Sequence, residues 1–149
     1  ATLPNVLIVD ARLGVNSVAE LVALLKRDAS KRYFASSGSG TSTHLAGELF
    51  ADIIHVPLSH VPYKGTGALI PDLLGGRLQA AIDNVLVMVP HMKTGALRGL
   101  AMTTAQRSFA LPDIPTVGEF LPGFEASPWI GLTAPRATPP GASRSGPCG

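Results

Sequence analysis

Ser37-Gly38-Ser39-Gly40-Thr41, followed by Thr43 and His44, is a run of hydroxyls and glycines set between an apolar stretch and an amphipathic one. Such a loop could cradle a phosphate, activate a serine, grip a carboxylate, or only turn the chain. A phosphate-binding loop needs a lysine before its Ser or Thr to reach the terminal phosphates. Counted from Gly38, that place holds Thr43-His44. A dinucleotide fingerprint needs a third glycine, so that helix and strand pack closely; Thr43 stands there instead. A nucleophile elbow needs glycine two residues before and two after the serine. Ser39 has Ser37 and Thr41 at those places.

Anion capture by a helix N-terminus remains. The first N–H groups of a helix lack intrahelical partners, and the helix dipole adds positive potential there. The helix expected from Ser17 answers its own N–H groups with Glu20, whereas the one expected from Thr41 meets its first acid only at Glu48. An external carboxylate could therefore be held by the loop; the competing reading is that Thr41 or Ser42 simply caps the helix. Asp83-Asn84 also sits between an expected strand and an expected helix. Ligands of open α/β sheets lie beyond the carboxyl ends of the strands. The loops after Ser36, Val61 and Asp83 would converge on one site if their strands are parallel neighbours; otherwise Asp83 is an N-cap. His44, His55, His60 and His91 could each supply a base, but no Asp or Glu is spaced to form a motif with them. His55 and His60 could pair on a metal, yet no third ligand stands out. Their simpler readings are a helix terminus and a strand end.

The elements that must position these residues follow from periodicity. Val6 to Val9, Tyr33 to Ser36, Leu58 to Val61, Gln79 to Asp83 and Arg98 to Thr103 read as strands, with a last one over Trp129 to Ala134. Helices are expected from Ser17 to about Asp28, from Thr41 through Ile53, over Ala68 to Leu74, over Val85 to Thr94 with Pro90 inside it, and briefly near Thr116 to Phe120. Alternation of this kind predicts an α/β layer fold on a mostly parallel sheet.

The chain has 149 residues, 46% apolar and 15% charged, which suits one packed domain. Its net charge of +2 is spread without a basic stripe, which argues against a nucleic-acid groove. Cys148 stands alone, so no intramolecular disulfide or cysteine metal site can form. No apolar run reaches the ~20 residues of a membrane span. The opening "ATLPNVLIVDARLG" lacks the features of a signal peptide, which reads as a cytoplasmic protein or a sequence without its original N-terminus. From Ala137 onward only Ala, Thr, Pro, Gly, Ser, Arg and Cys occur, which predicts a disordered tail over about 136–149.

Four segments in order, "YFASSGSGTSTHLAGELF", "HVPYKGTGALIPDLLGGRLQAAIDN", "LRGLAMTTAQRS" and "RSFALPDIPTVGEFLPGFEASPWIGLTAP", resemble the solute-binding proteins of tripartite tricarboxylate transporters, the Bug family. The resemblance runs from about Pro4 to Pro135. It implies a single lobe (about residues 1–135) of a periplasmic-binding-protein-like type II fold that normally has two lobes. It also implies periplasmic location, no enzyme activity and no cofactor or metal. The implied partners are a small mono- or dicarboxylate and the membrane components of the transporter, with no nucleic acid. Carried onto this sequence, the ligand-binding positions are Ser37, Gly38, Ser39, Gly40, Thr41, His44 and Asp83. The family's domain is about twice this length, so the expectations are weak solute binding, a truncated or frameshifted gene, and dimerisation or strand exchange over the uncovered face. The alternatives are a degenerate fragment or interaction module without ligand, and an enzyme acting on a small carboxylate with Asp83 or His44 as base.

Overall fold

The computed structural model describes residues 4–128. Strand β1 spans Asn5–Asp10, and every residue in it is buried. Its apolar side chains divide by the two-residue period of a strand, Leu7 and Val9 to one face and Val6 and Ile8 to the other. Helix α1, Val18–Arg27, begins where Ser17 accepts from the Glu20 N–H and Glu20 reaches back to the Asn16 N–H. Strand β2 is Tyr33–Ser36 and helix α2 is Ser42–Ile54, ended by His55 in a left-handed conformation at φ 55°. Then come β3, Ser59–Pro62; α3, Thr66–Leu74; β4, Ala80–Asn84; α4, Val85–Lys93; and β5, Leu97–Met102. Pro90 lies inside α4. A 3-10 turn at Val117–Glu119 stands where a short helix was expected. The expected strand over Trp129 to Ala134, Cys148 and the tail from 136 lie outside the described residues.

The sheet order is β3-β2-β4-β1-β5. β2 pairs parallel with β3 and with β4, whereas β1 pairs antiparallel with both β4 and β5. Four strands therefore run one way and β1 runs against them, so the mostly parallel sheet expected from alternation is a mixed one. Strand–helix–strand alternation fixes parallel order only when the connection recrosses the full length of the sheet. The segment between β1 and β2 does not: it leaves and re-enters at the same end, and β4 is inserted between the two strands.

Helices cover both faces. One cluster joins Leu7, Val9 and Ile82 of the sheet to Leu21 and Leu25 of α1 and Phe50 and Ile54 of α2. The other joins Val6, Ile8, Ala35 and Ala81 to Leu69 and Leu73 of α3 and Met88 of α4. No helix among the described residues is long and apolar enough to cross a membrane.

Candidate functional site

Because β2, β3 and β4 share a direction, their carboxyl ends fall on one edge of the sheet, and α2, α3 and α4 all begin there. None of these helices has an acid in its first turn. Asn5 and Thr103 join the same edge, since Asn5 is in register with Asn84 and its carbonyl accepts from the Thr103 N–H at 3.0 Å.

The loop from Ser37 to Thr41 is built around internal bonds. Thr41 is the N-cap of α2: its Oγ1 accepts from the His44 N–H and donates to the Gly38 carbonyl at 2.6 Å. Ser37 turns inward, with its N–H and hydroxyl on Thr43 Oγ1 at 3.2 and 3.0 Å. Gly38 adopts φ +153°, with its N–H on Ser36 Oγ. Gly40, at φ +79°, donates its N–H to His44 Nδ1 at 3.0 Å. The loops after β2 and β3 are joined, because the Gly65 N–H donates to the Ser37 carbonyl. The Ser37 and Thr41 hydroxyls expected to grip a ligand are therefore committed to the loop itself, whereas Ser39 Oγ has no partner among the described residues. The N–H groups of Ser39, Ser42 and Thr43 meet no acceptor among the described residues. Free donors here are these backbone N–H groups, as a helix N-terminus requires, together with the Ser39 and Ser42 hydroxyls. Removing the cap as Thr41→Ala should cost about 1 kcal/mol. Urea unfolding would read this, and an unchanged midpoint would show that Ser42 or Thr43 takes over the cap.

Asp83 lies on the same edge but on the sheet face covered by α3 and α4. It is 2% exposed. Its Oδ1 accepts from Thr66 Oγ1 at 2.7 Å and from the Asn84 N–H at 2.6 Å, while the buried Oδ2 has no partner among the described residues. Burial pushes its pKa up, and those two hydrogen bonds oppose the shift. The N-cap reading of Asp83 is displaced by its neighbour: Asn84 caps α4, accepting from the Leu86 N–H at 2.9 Å.

Ser37, Gly38, Ser39, Gly40, Thr41 and His44 thus come together, and Asp83 approaches from the other face of the same edge. The possible bases His44 and Asp83 sit on opposite faces of the sheet. His55 ends α2, so the His55 and His60 pair does not meet as metal ligands; among the described residues no group of three His, Cys, Asp or Glu could hold a metal. Three residues outside the expected ligand-binding set belong to the site. Thr43 organises the loop, Thr66 holds Asp83, and His60 stacks on His44 with ring centroids 3.9 Å apart. Thr43 was visible as a loop hydroxyl and His60 as a possible base, while Thr66 left only a hydroxyl at a helix start after Gly65.

Against known proteins, residues 1–144 match the family model described as tripartite tricarboxylate transporter family receptor. The match passes Pro135 by nine residues (144 − 135). The chain is 37% identical over 138 residues to Protein BugT of Bordetella pertussis, covering 92% of this chain and 42% of that protein. A solved structure of R. palustris Rpa4515 with adipate superposes with a TM-score of 0.89 at 37% identity, over 95% of this chain and 48% of that one. MatC from Rhodopseudomonas palustris with bound malate gives 0.84 at 27% identity, over 92% of this chain and 47% of that one. The chain spans about two-fifths of the length of the first curated relatives it matches.

Proposed function

This chain belongs to the tripartite tricarboxylate transporter receptor family, and from that premise we propose that its sheet edge is one wall of a site for a small carboxylate. The family is one of solute receptors rather than enzymes, and relatives of like fold carry adipate and malate. One observation carries the reading: three helices begin on one edge with no acid in any first turn, and the backbone N–H groups of Ser39, Ser42 and Thr43 meet no acceptor among the described residues. Partial positive charge and free donors at one place suit a carboxylate. Ser37, Gly38 and Thr41 shape the loop, Ser39 presents its backbone, Gly40 is held by His44, and His44 and Asp83 flank the loop.

The proposed setting is periplasmic, with the solute passed to membrane components of the transporter. Among the described residues Ser39, Gly40 and Ser42 of the wall are exposed to water. Charge-assisted hydrogen bonds to a carboxylate gain most where water is excluded, so a solvated wall binds weakly. The expected dissociation constant for adipate or malate is about 1 mM or weaker. Amide NMR titration tests both parts of the proposal. Adipate should shift the Ser39 to Thr43 amides progressively without early saturation. Shifts elsewhere but none in that loop would reject the site, and micromolar saturation would reject the weak-wall account.

A further inference from the structure

Two imidazoles, His44 and His60, are attached to this loop. His44 Nδ1 accepts the Gly40 N–H, so its own proton sits on Nε2, which lies 3.4 Å from Glu48 Oε1. His60 stacks on it nearly parallel, at an interplanar angle of 13°, and stacks on Phe34 at 4.9 Å between centroids. His60 Nε2 is 2.6 Å from Ser36 Oγ, which also bonds both the N–H and the carbonyl of Gly38. One ring thus holds Gly40, and the other holds Gly38 through Ser36. The glycines on either side of Ser39 are both fixed by one stacked pair.

A proton added to His44 must go to Nδ1, which turns the acceptor of the Gly40 N–H into a second donor. The latch on Gly40 then breaks. Two imidazolium rings at 3.9 Å repel, so the stack disfavours carrying two protons at once. The charged groups acting on His60 are His44 and Glu48. Burial, then the His44 cation, hold His60 below the ordinary histidine range, against the pull of Glu48. His44 is the ring whose Nε2 lies 3.4 Å from Glu48 Oε1 and whose Nδ1 holds the Gly40 N–H.

We infer that the His44–His60 stack is a proton-operated latch on the Ser37–Thr41 loop, in which a proton entering at His44 frees the Gly40 N–H and places a cation beside the loop. The consequence for binding rests on the carboxylate reading given above: the freed donor and the added charge both favour an anion, so acidification tightens the hold. The latch itself can be read without any solute.

Amide NMR of the 149-residue chain across about pH 5.5 to 8 provides the test. The Gly40 amide shift should move in step with the His44 ring protons and become flat in His44→Gln. The adipate concentration that half-saturates the loop shifts should fall roughly threefold or more from about pH 8 to 6, a modest electrostatic gain at partly solvated range. His44→Gln should show no such fall, which separates the latch from any change in the ionisation of adipate. A flat Gly40 amide while the His44 ring titrates overturns the latch, as does an adipate response whose pH dependence is the same in His44→Gln. If Gly40 titrates and adipate moves no loop amide at any pH, the latch stands and the carboxylate reading falls.

Discussion

Replacing Gly47 by valine is expected to destabilise the lobe by about 2–3 kcal/mol, lowering the melting temperature by roughly 4–10 °C. Gly47 is buried in the middle of α2, where the helix lies directly on β2. A Cβ there would stand 2.0 Å from Cε2, 2.5 Å from Cζ and 2.7 Å from Cδ2 of Phe34. Helix propensity argues the other way, since valine is better than glycine in a helix by about half a kcal/mol. Overpacking wins because the Phe34 ring cannot retreat: it is 3% exposed, and His60 stacks against it. Either α2 lifts from the sheet or the ring displaces His60, and with it the Ser36 contact to the loop. Thermal unfolding of Gly47→Val, Phe34→Leu and the double variant checks the mechanism. If the clash is the cause, the double variant should lose well under the sum of the two single losses. Additive losses would show that Gly47 matters for some other reason.

The same contact shows where sequence reading stops. β2 was legible to the residue, as Tyr33–Ser36, because a short β-rich run ends in a glycine and serine cluster. Helix α1 was legible from Ser17 and Glu20, whose capping needs only four residues of local chain. The start of α3 was placed at Ala68 and lies at Thr66, because Gly65 caps it without a side-chain bond and leaves little signal. The reversal of β1 was not legible. It depends on β4 taking the place beside β1, a choice among distant segments that alternation does not encode. The loop's candidate residues were legible as types, but their partners were not. His60 reaches His44 because β3 pairs with β2 in a register that sets Phe34 opposite His60. Thr66 reaches Asp83 because α3 begins beside the end of β4. Those contacts join residues 16 and 17 positions apart, and only the strand order brings them together.

Asp83 carries the other large effect, and the sign of its pH dependence follows from burial. Its folded pKa is raised above the unfolded value because desolvation disfavours the carboxylate. Between those two values the native state keeps a proton that the unfolded chain has released, so stability falls as pH rises through that window. Asp10, Asp28, Asp72 and Glu119 act in the opposite sense: each is held below the ordinary range, chiefly by a hydrogen bond, and each favours the fold as pH rises. Only a difference between variants isolates Asp83. Asp83→Asn keeps a carbonyl for Thr66 and the Asn84 N–H and removes the ionisation. Relative to the parent, its stability should therefore climb with pH across the acid range and level off towards neutrality. Urea midpoints at a series of pH values would read that curve, and a difference constant with pH would reject a buried, ionising Asp83. Asp83→Ala should behave otherwise. It leaves the partly buried Thr66 hydroxyl and the Asn84 N–H without their acceptor, a loss of about 1–3 kcal/mol. That loss should be felt at the starts of α3 and α4 together, because Thr66 opens one helix and Asn84 caps the other. Amide exchange concentrated in those two first turns would show that one carboxylate ties both helices to the edge where the solute is proposed to sit.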